Sequence, residues 1–135
     1  MSKIIIRKKS LNEGTKEQKK RAFGIEKIIG GNLTTLFTKF SWIIDADMDM
    51  AKIVIQGDRL IWSSGDFISG DWYGDTWKNG EFSGTWHTGV FEDGVFSGTW
   101  ENGDWIDGSF EDEAIWNDKN NDRPERFNKW VRNIF

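Results

Sequence analysis

A chain of 135 residues with 37% apolar residues, nine Trp and ten Phe is long enough for one domain with a real core. It has no cysteine, which excludes a disulfide framework and a thiolate metal site and fits a reducing compartment. The formal charge of −4 conceals a separation: residues 1–40 carry +7, residues 41–61 carry −2, residues 62–113 carry −11 and the rest +2. That separation suits an acidic surface for a basic partner or docking of one end on the other, and equally plain solvation of a Trp-rich sheet.

From the amino terminus, the first apolar run is only Ile4 to Ile6, too short for the core of a signal peptide, and no uninterrupted apolar stretch approaches membrane-spanning length. The expectation is a protein without a membrane span, cytoplasmic or virion-associated. Residues 1–61 read as a basic strand, helix and hairpin region. Thr15 and Gln18 have the spacing of a capping box, and Gly30-Gly31 supplies a stop, which predicts a helix over about 16–29. Ala22, Phe23, Ile25, Ile28 and Ile29 would form its apolar side. Lys16, Lys19, Lys20 and Arg21 would crowd its first turns, where cations oppose the macrodipole. That charge reads first as a solvated face, and as the alternative it suits an anionic partner, either nucleic acid, which is not favoured, or the protein's own acidic sheet.

Ile44 to Met50 alternates apolar residues with Asp45, Asp47 and Asp49, the pattern of an amphipathic strand with Ile44, Ala46, Met48 and Met50 inward. A calcium loop fails here, because its sixth position is Met50 rather than Gly and its twelfth is Gln56 rather than Glu. Lys52 to Trp62 reads as a hairpin turning near Gly57-Asp58.

Residues 62–113 form a Trp/Gly-rich repeat region. Its copies are ISGDWYGDTWKNGE at 68–81, FSGTWHTGVFEDGV at 82–95 and FSGTWENGDWIDGS at 96–109, a period of fourteen with large apolar residues at the first, fifth and tenth places. In an extended strand Phe82 and Trp86 would flank Gly84, and Phe96 and Trp100 would flank Gly98, leaving a notch for another ring. K-N-G, E-D-G, E-N-G and I-D-G recur between short strand-like runs and supply the positive φ of tight turns. These features predict a mainly β protein of α+β type: a repetitive antiparallel meander or solenoid of short hairpins with an aromatic ladder along one side. A small strand-helix-strand region precedes it, and a C-terminal amphipathic helix closes it.

F-S-G-T-W-E-N-G at 96–103 resembles the Y-x-G-x-W-x-N-G core of the MORN repeat, a hairpin unit that stacks into elongated sheets, and the likeness covers about residues 68–110. A second similarity is to pentapeptide-repeat solenoids, since G-x-[F/W]-x-x describes Gly65 to Ser69, Gly89 to Asp93, Gly103 to Asp107 and Gly108 to Asp112. Four-residue steps from Phe82 to Trp86 and from Phe96 to Trp100 break that register. Short Trp-Gly repeats are also similar to those of tailed-bacteriophage proteins. The MORN resemblance implies a scaffold or contact module and carries over no catalytic residue.

Residues 114–135 read as linker and helix: Pro124 suits a first turn, and Phe127, Trp130, Val131 and Ile134 fall at i, i+3, i+4 and i+7. Such a helix would cap the open end of the sheet, with docking into a partner's groove or onto an acidic membrane surface as alternatives.

Chemistry is sparsely represented. His87, the single histidine, occupies a place held by Glu101 in the next repeat, and acids at every turn make carboxylate pairs common by chance. No glycine run has the strand-loop-helix context of a phosphate cradle. The expectation is therefore a non-enzymatic structural or adaptor protein without cofactor or metal, binding a protein partner or itself, with a viral particle as one setting. Its contact residues would be Glu81, Glu92, Asp93, Glu101, Asp104, Arg126, Lys129, Trp130 and Arg132. Alternatives are an acidic nucleic-acid mimic that inhibits a basic-grooved protein, and a carbohydrate-binding module if Trp72, Trp86 and Trp100 face solvent.

Overall fold

The computed structural model describes residues 16–124. Its first part is a small α+β cap. Helix α1 (Lys16–Ala22) is followed by strand β1 (Ile25–Ile29), helix α2 (Leu33–Lys39), a 3-10 turn (Ser41–Asp45) and two long strands, β2 (Asp47–Gln56) and β3 (Arg59–Ser69). Strand β1 lies parallel to β2, and β2 and β3 are antiparallel, with Gln56 opposite Arg59 as the Gly57-Asp58 turn predicts.

The helix expected over 16–29 stops at Ala22. Gly24 has φ +75 and sits so close to the Met48 carbonyl that a Cβ could not fit, so the chain turns there. The isoleucines beyond it then find a better place in a strand. Shortening the helix reverses the electrostatic reading, because Lys19, Lys20 and Arg21 fall in its last turn, where the macrodipole favours cations. Thr15, half of the expected capping box, lies outside the described residues. Gly30-Gly31 ends β1 instead of a helix, and helix α2 follows with Asn32 as its N-cap, the Thr35 amide donating to Asn32 Oδ1 at 2.9 Å. Alternation over 44–50 holds for Ala46 and Met48, both buried, and fails at Met50, which is 57% exposed at φ +53. An irregularity between Asp49 and Lys52 adds residues to one strand and turns Met50 outward.

Beyond β3 the repeats form ten strands of two residues: β4 (Asp71–Trp72), β5 (Thr76–Trp77), β6 (Glu81–Phe82), β7 (Thr85–Trp86), β8 (Val90–Phe91), β9 (Val95–Phe96), β10 (Thr99–Trp100), β11 (Asp104–Trp105), β12 (Ser109–Phe110) and β13 (Ile115–Trp116). They pair in three parallel ladders, β3-β5-β8-β11, β3-β6-β9-β12 and β4-β7-β10-β13. The architecture is a three-sided β-solenoid, not an antiparallel meander of hairpins, and each turn of the repeat is a corner of a coil. The reason lies in the glycines. Gly80, Gly94 and Gly108 have φ of +122, +120 and +116, far from the +57 or so of a tight hairpin turn, so the chain bends without reversing. The preceding Asn79, Asp93 and Asp107 accept the glycine amide on Oδ1 at 2.8–2.9 Å.

Coils lie directly on one another at these corners. A Cβ on Gly80 would run into the carbonyl of Gly65 in the coil below, and one on Gly84 would meet the Gly70 carbonyl and come within 2.8 Å of the Phe67 ring. Gly84 therefore sits at a corner over another corner, and the expected ring-sized notch is filled chiefly by backbone.

All three ladders point their rings inward. One column is Trp62, Trp77, Phe91 and Trp105; the second is Phe67, Phe82, Phe96 and Phe110; the third is Trp72, Trp86, Trp100 and Trp116. Within a column, rings stack at 4.5–6.0 Å between centroids with planes 5–14° apart. Between columns, neighbouring rings cross edge to face, for example at 72° for Trp62–Phe67, 89° for Phe67–Trp72 and 70° for Phe96–Trp100. Trp42 closes the lower end of the stack against Trp72 at 5.4 Å. The C-terminal helix proposed from sequence lies outside the described residues.

Candidate functional site

Outward positions on the three faces are where the solenoid meets solvent. The first face carries Val90 and Asp104, in register with a buried Thr76, beside Lys78, Glu92 and Ile106; the second carries Asp66, Glu81, Val95 and Ser109; the third carries Asp71, Thr85, Thr99 and Ile115 beside Tyr73, His87, Glu101 and Asn117. Sequence-expected contact acids are thus distributed, not gathered. Glu81 stands exposed on the second face. Glu92 and Asp104 lie on the first, Glu92 pairing with Lys78 at 3.4 Å. Glu101, on the third, accepts from Asn117 Nδ2 at 3.1 Å. Asp93 is at a corner with its Oδ1 committed to Gly94. Arg126, Lys129, Trp130 and Arg132 lie outside the described residues.

His87 and Glu101 do occupy equivalent places, as expected, since Trp86 and Trp100 are in register beneath them. Sequence reasoning missed what surrounds the histidine: Tyr73 stacks on its ring at 4.3 Å with planes 4° apart, and Nε2 lies 2.9 Å from Asp71 Oδ1. The one-coil spacing that relates Tyr73 to His87 was available as a signal.

The indoles of Trp72, Trp86 and Trp100 are fully buried, so none of them offers a face to a sugar ring. Trp72, Trp77 and Trp86 have indole N–H groups with no acceptor among the described residues. Trp100 differs: its Nε1 donates to Asp118 Oδ2 at 3.0 Å. Asp118, 6% exposed, also accepts from Asn121 Nδ2 at 2.9 Å and from the Asn120 amide at 2.9 Å. Burial alone would raise this carboxyl, but the hydrogen bonds from Asn121, Trp100 and the Asn120 and Asn121 amides together hold it below the ordinary carboxylate value. The D-x-x-N spacing of Asp118 and Asn121 is its only trace in the sequence.

Among the described residues no further coil follows at the upper end of the solenoid, where strands β11, β12 and β13 each pair on one side only. Trp105 and Trp116 are half-buried there, whereas Phe91 and Trp100 one coil below are fully buried. Ile106 and Ile115 are 63% and 54% exposed. A cavity of about 380 Å³ lies at this end, bounded among others by Asp104, Trp105, Ile106, Trp116, Asp122 and Pro124.

Among the described residues no group of three or more His, Cys, Asp or Glu side chains is placed to hold a metal ion, and no helix is long and apolar enough to cross a membrane. Comparison of the chain with protein-family models, with curated proteins and with solved structures finds no match.

Proposed function

We propose that this chain is a non-enzymatic structural or adaptor protein whose solenoid contacts another protein through its acid-bearing outer faces. The observation that carries the reading is the division of labour across each two-residue strand. Every Trp and Phe of the inner coils faces inward, leaving Asp66, Asp71, Glu81, Glu92 and Glu101 among the outward groups of a surface whose only cation in 62–113, Lys78, is already paired. A stiff prism with acids on all sides suits a basic partner surface, where complementary charge steers encounter and sets specificity. Rigidity supports the role as well, because a preorganised surface loses little entropy on binding.

Its test is capture of a partner by the full chain and by Glu81→Lys, Glu92→Lys and Glu101→Lys, one change per face. One stoichiometric protein should be lost with a single face's variant, by tenfold or more, and kept by the other two. Retention by all three would overturn the reading. The charge density favours one second reading, the nucleic-acid mimic; release by salt of a nucleic-acid-handling protein, in competition with DNA, would select it.

A further inference from the structure

The three ring columns end in different company at the upper end of the solenoid. Each last ring rests on one in the coil below: Phe110 on Phe96 at 5.6 Å, Trp105 on Phe91 at 4.5 Å and Trp116 on Trp100 at 5.0 Å, with planes 5–8° apart. Over Phe110 lies a cation, the Arg123 guanidinium, 5.2 Å from the ring centroid. Trp105 and Trp116, both half-buried, border the cavity of about 380 Å³ instead. The polar groups at its wall are one-sided. Asp104 and Asp122 are exposed carboxylates with no salt bridge among the described residues, and no Lys, Arg or His lines the cavity. Asn121 is committed elsewhere as the segment after β13 crosses the last coil. Its Nδ2 donates to the Gly103 carbonyl at 3.3 Å and to Asp118 Oδ2 at 2.9 Å, and its own backbone carbonyl accepts the Trp116 indole N–H at 3.0 Å.

We propose that this cavity binds an organic ammonium group, held against the Trp105 and Trp116 indoles and balanced by Asp104 and Asp122. The wall offers a ligand two negative acceptors and two indoles, and indole is the best of the aromatic rings for a cation, because its face carries the negative part of the ring quadrupole. The volume is near the small end of the roughly 300–1,000 Å³ of ligand sites and suits an alkylated ammonium head. Other classes fit the wall less well. A calcium ion takes about six to eight oxygens and gains nothing from indoles. An anion would meet two like charges. A neutral sugar could stack on the rings, yet it brings no charge to the two carboxylates. The ammonium group can belong to a free molecule such as choline or to the tip of a lysine on another protein. The site uses none of Glu81, Glu92 and Glu101, so this reading and that of the partner-binding faces can fail separately.

Indole N–H resonances of the full chain test the site, followed by NMR as four probes are added in turn. The probes are choline, the neutral alcohol with carbon in place of its nitrogen, acetyl-lysine methylamide with a free side-chain amine, and glucose. At least one ammonium probe should shift the Trp105 and Trp116 signals saturably, about tenfold or more tighter than the neutral alcohol. Whichever of the two binds more tightly identifies the source of the group. Asp104→Asn with Asp122→Asn, two exposed changes that keep the side-chain shapes, should weaken that binding by about tenfold or more. Equal affinity for the neutral alcohol, binding that the double variant leaves intact, a response to glucose alone, or no saturable shift with either ammonium probe would overturn the proposal.

Discussion

The cap and the solenoid hold themselves together in opposite ways. In the cap, four elements converge on a mixed core of Ile25, Leu33, Leu36, Phe37, Ile43, Ile53 and Ile55, and the two long strands run ten and eleven residues. In the solenoid, strands of two residues are joined only to the coil before and the coil after, and the core is three columns of rings. Burial stabilises both, yet its geography differs. A cap side chain is surrounded by contacts from several parts of the chain, whereas a solenoid ring has neighbours above, below and beside it, so damage should travel along the axis. The lesson is that very short strands suffice when stacking supplies the order that length usually provides.

Replacing one ring and one aliphatic side chain exposes that difference most strongly. Trp86→Ala and Leu36→Ala should each cost about 3–5 kcal/mol in urea unfolding. Only Trp86→Ala, whose ring lies between Trp72 and Trp100, should also raise hydrogen exchange through the later coils while leaving β1 and β2 protected. If both variants unfold the whole chain as one unit, the contrast between the regions is wrong.

Corners give the next largest effect. Gly80→Ala forces a Cβ into the Gly65 carbonyl at φ +122 and should cost above about 3 kcal/mol, whereas Gly57→Ala, at φ +61 in the cap hairpin with nothing nearby, should cost about 1 kcal/mol. Equal midpoints in urea for the two variants would mean that the coils can separate locally.

Asp118 joins the third ring column to the segment crossing its end, and Asp118→Ala should cost about 1–3 kcal/mol at pH 7 by orphaning the Trp100 indole and the Asn121 amide. Its folded carboxyl titrates below the unfolded one, so its stabilisation is complete above the unfolded value of about 3.9 and disappears as the pH falls through the lower folded value. The stability gap between wild type and Asp118→Ala should therefore narrow below about pH 3.9, and a gap constant to pH 2.5 would contradict the assignment. Trp77→Phe is the counterpart: its N–H has no acceptor and its column already holds Phe91, so a change below about 1.5 kcal/mol is expected by the same unfolding assay.

Smallest is Met50→Gly in the cap. Relief of φ +53 in an exposed side chain should balance or slightly exceed the entropy a glycine adds to the unfolded state, a gain of about 0.5 kcal/mol in thermal unfolding. A loss of more than about 1 kcal/mol would mean that Met50 contributes packing that its exposure does not reveal.

Much of this was readable in the residues themselves. Phe82, Trp86, Phe96 and Trp100 announce the period and the core, Asn79-Gly80 and Asp93-Gly94 announce positive φ, and Gly57-Asp58 places a hairpin that is present. The candidate surfaces were less legible. Glu81, Glu92 and Glu101 look alike in a list of repeats, and only the three-sided winding sends them to different faces. Asp118 stands in a polar run indistinguishable from a linker, and its burial goes with a hydrogen bond to a Trp100 indole eighteen residues earlier.

Composition and period determined by themselves that rings alternate with short polar groups and that glycines punctuate them, because side-chain alternation and left-handed φ are local properties. Whether an Asn-Gly corner reverses the chain or merely bends it was decided by the tertiary structure. The choice depends on the next coil: a bend brings Gly80 over Gly65 and Trp77 over Trp62, contacts fifteen residues apart that no local propensity encodes.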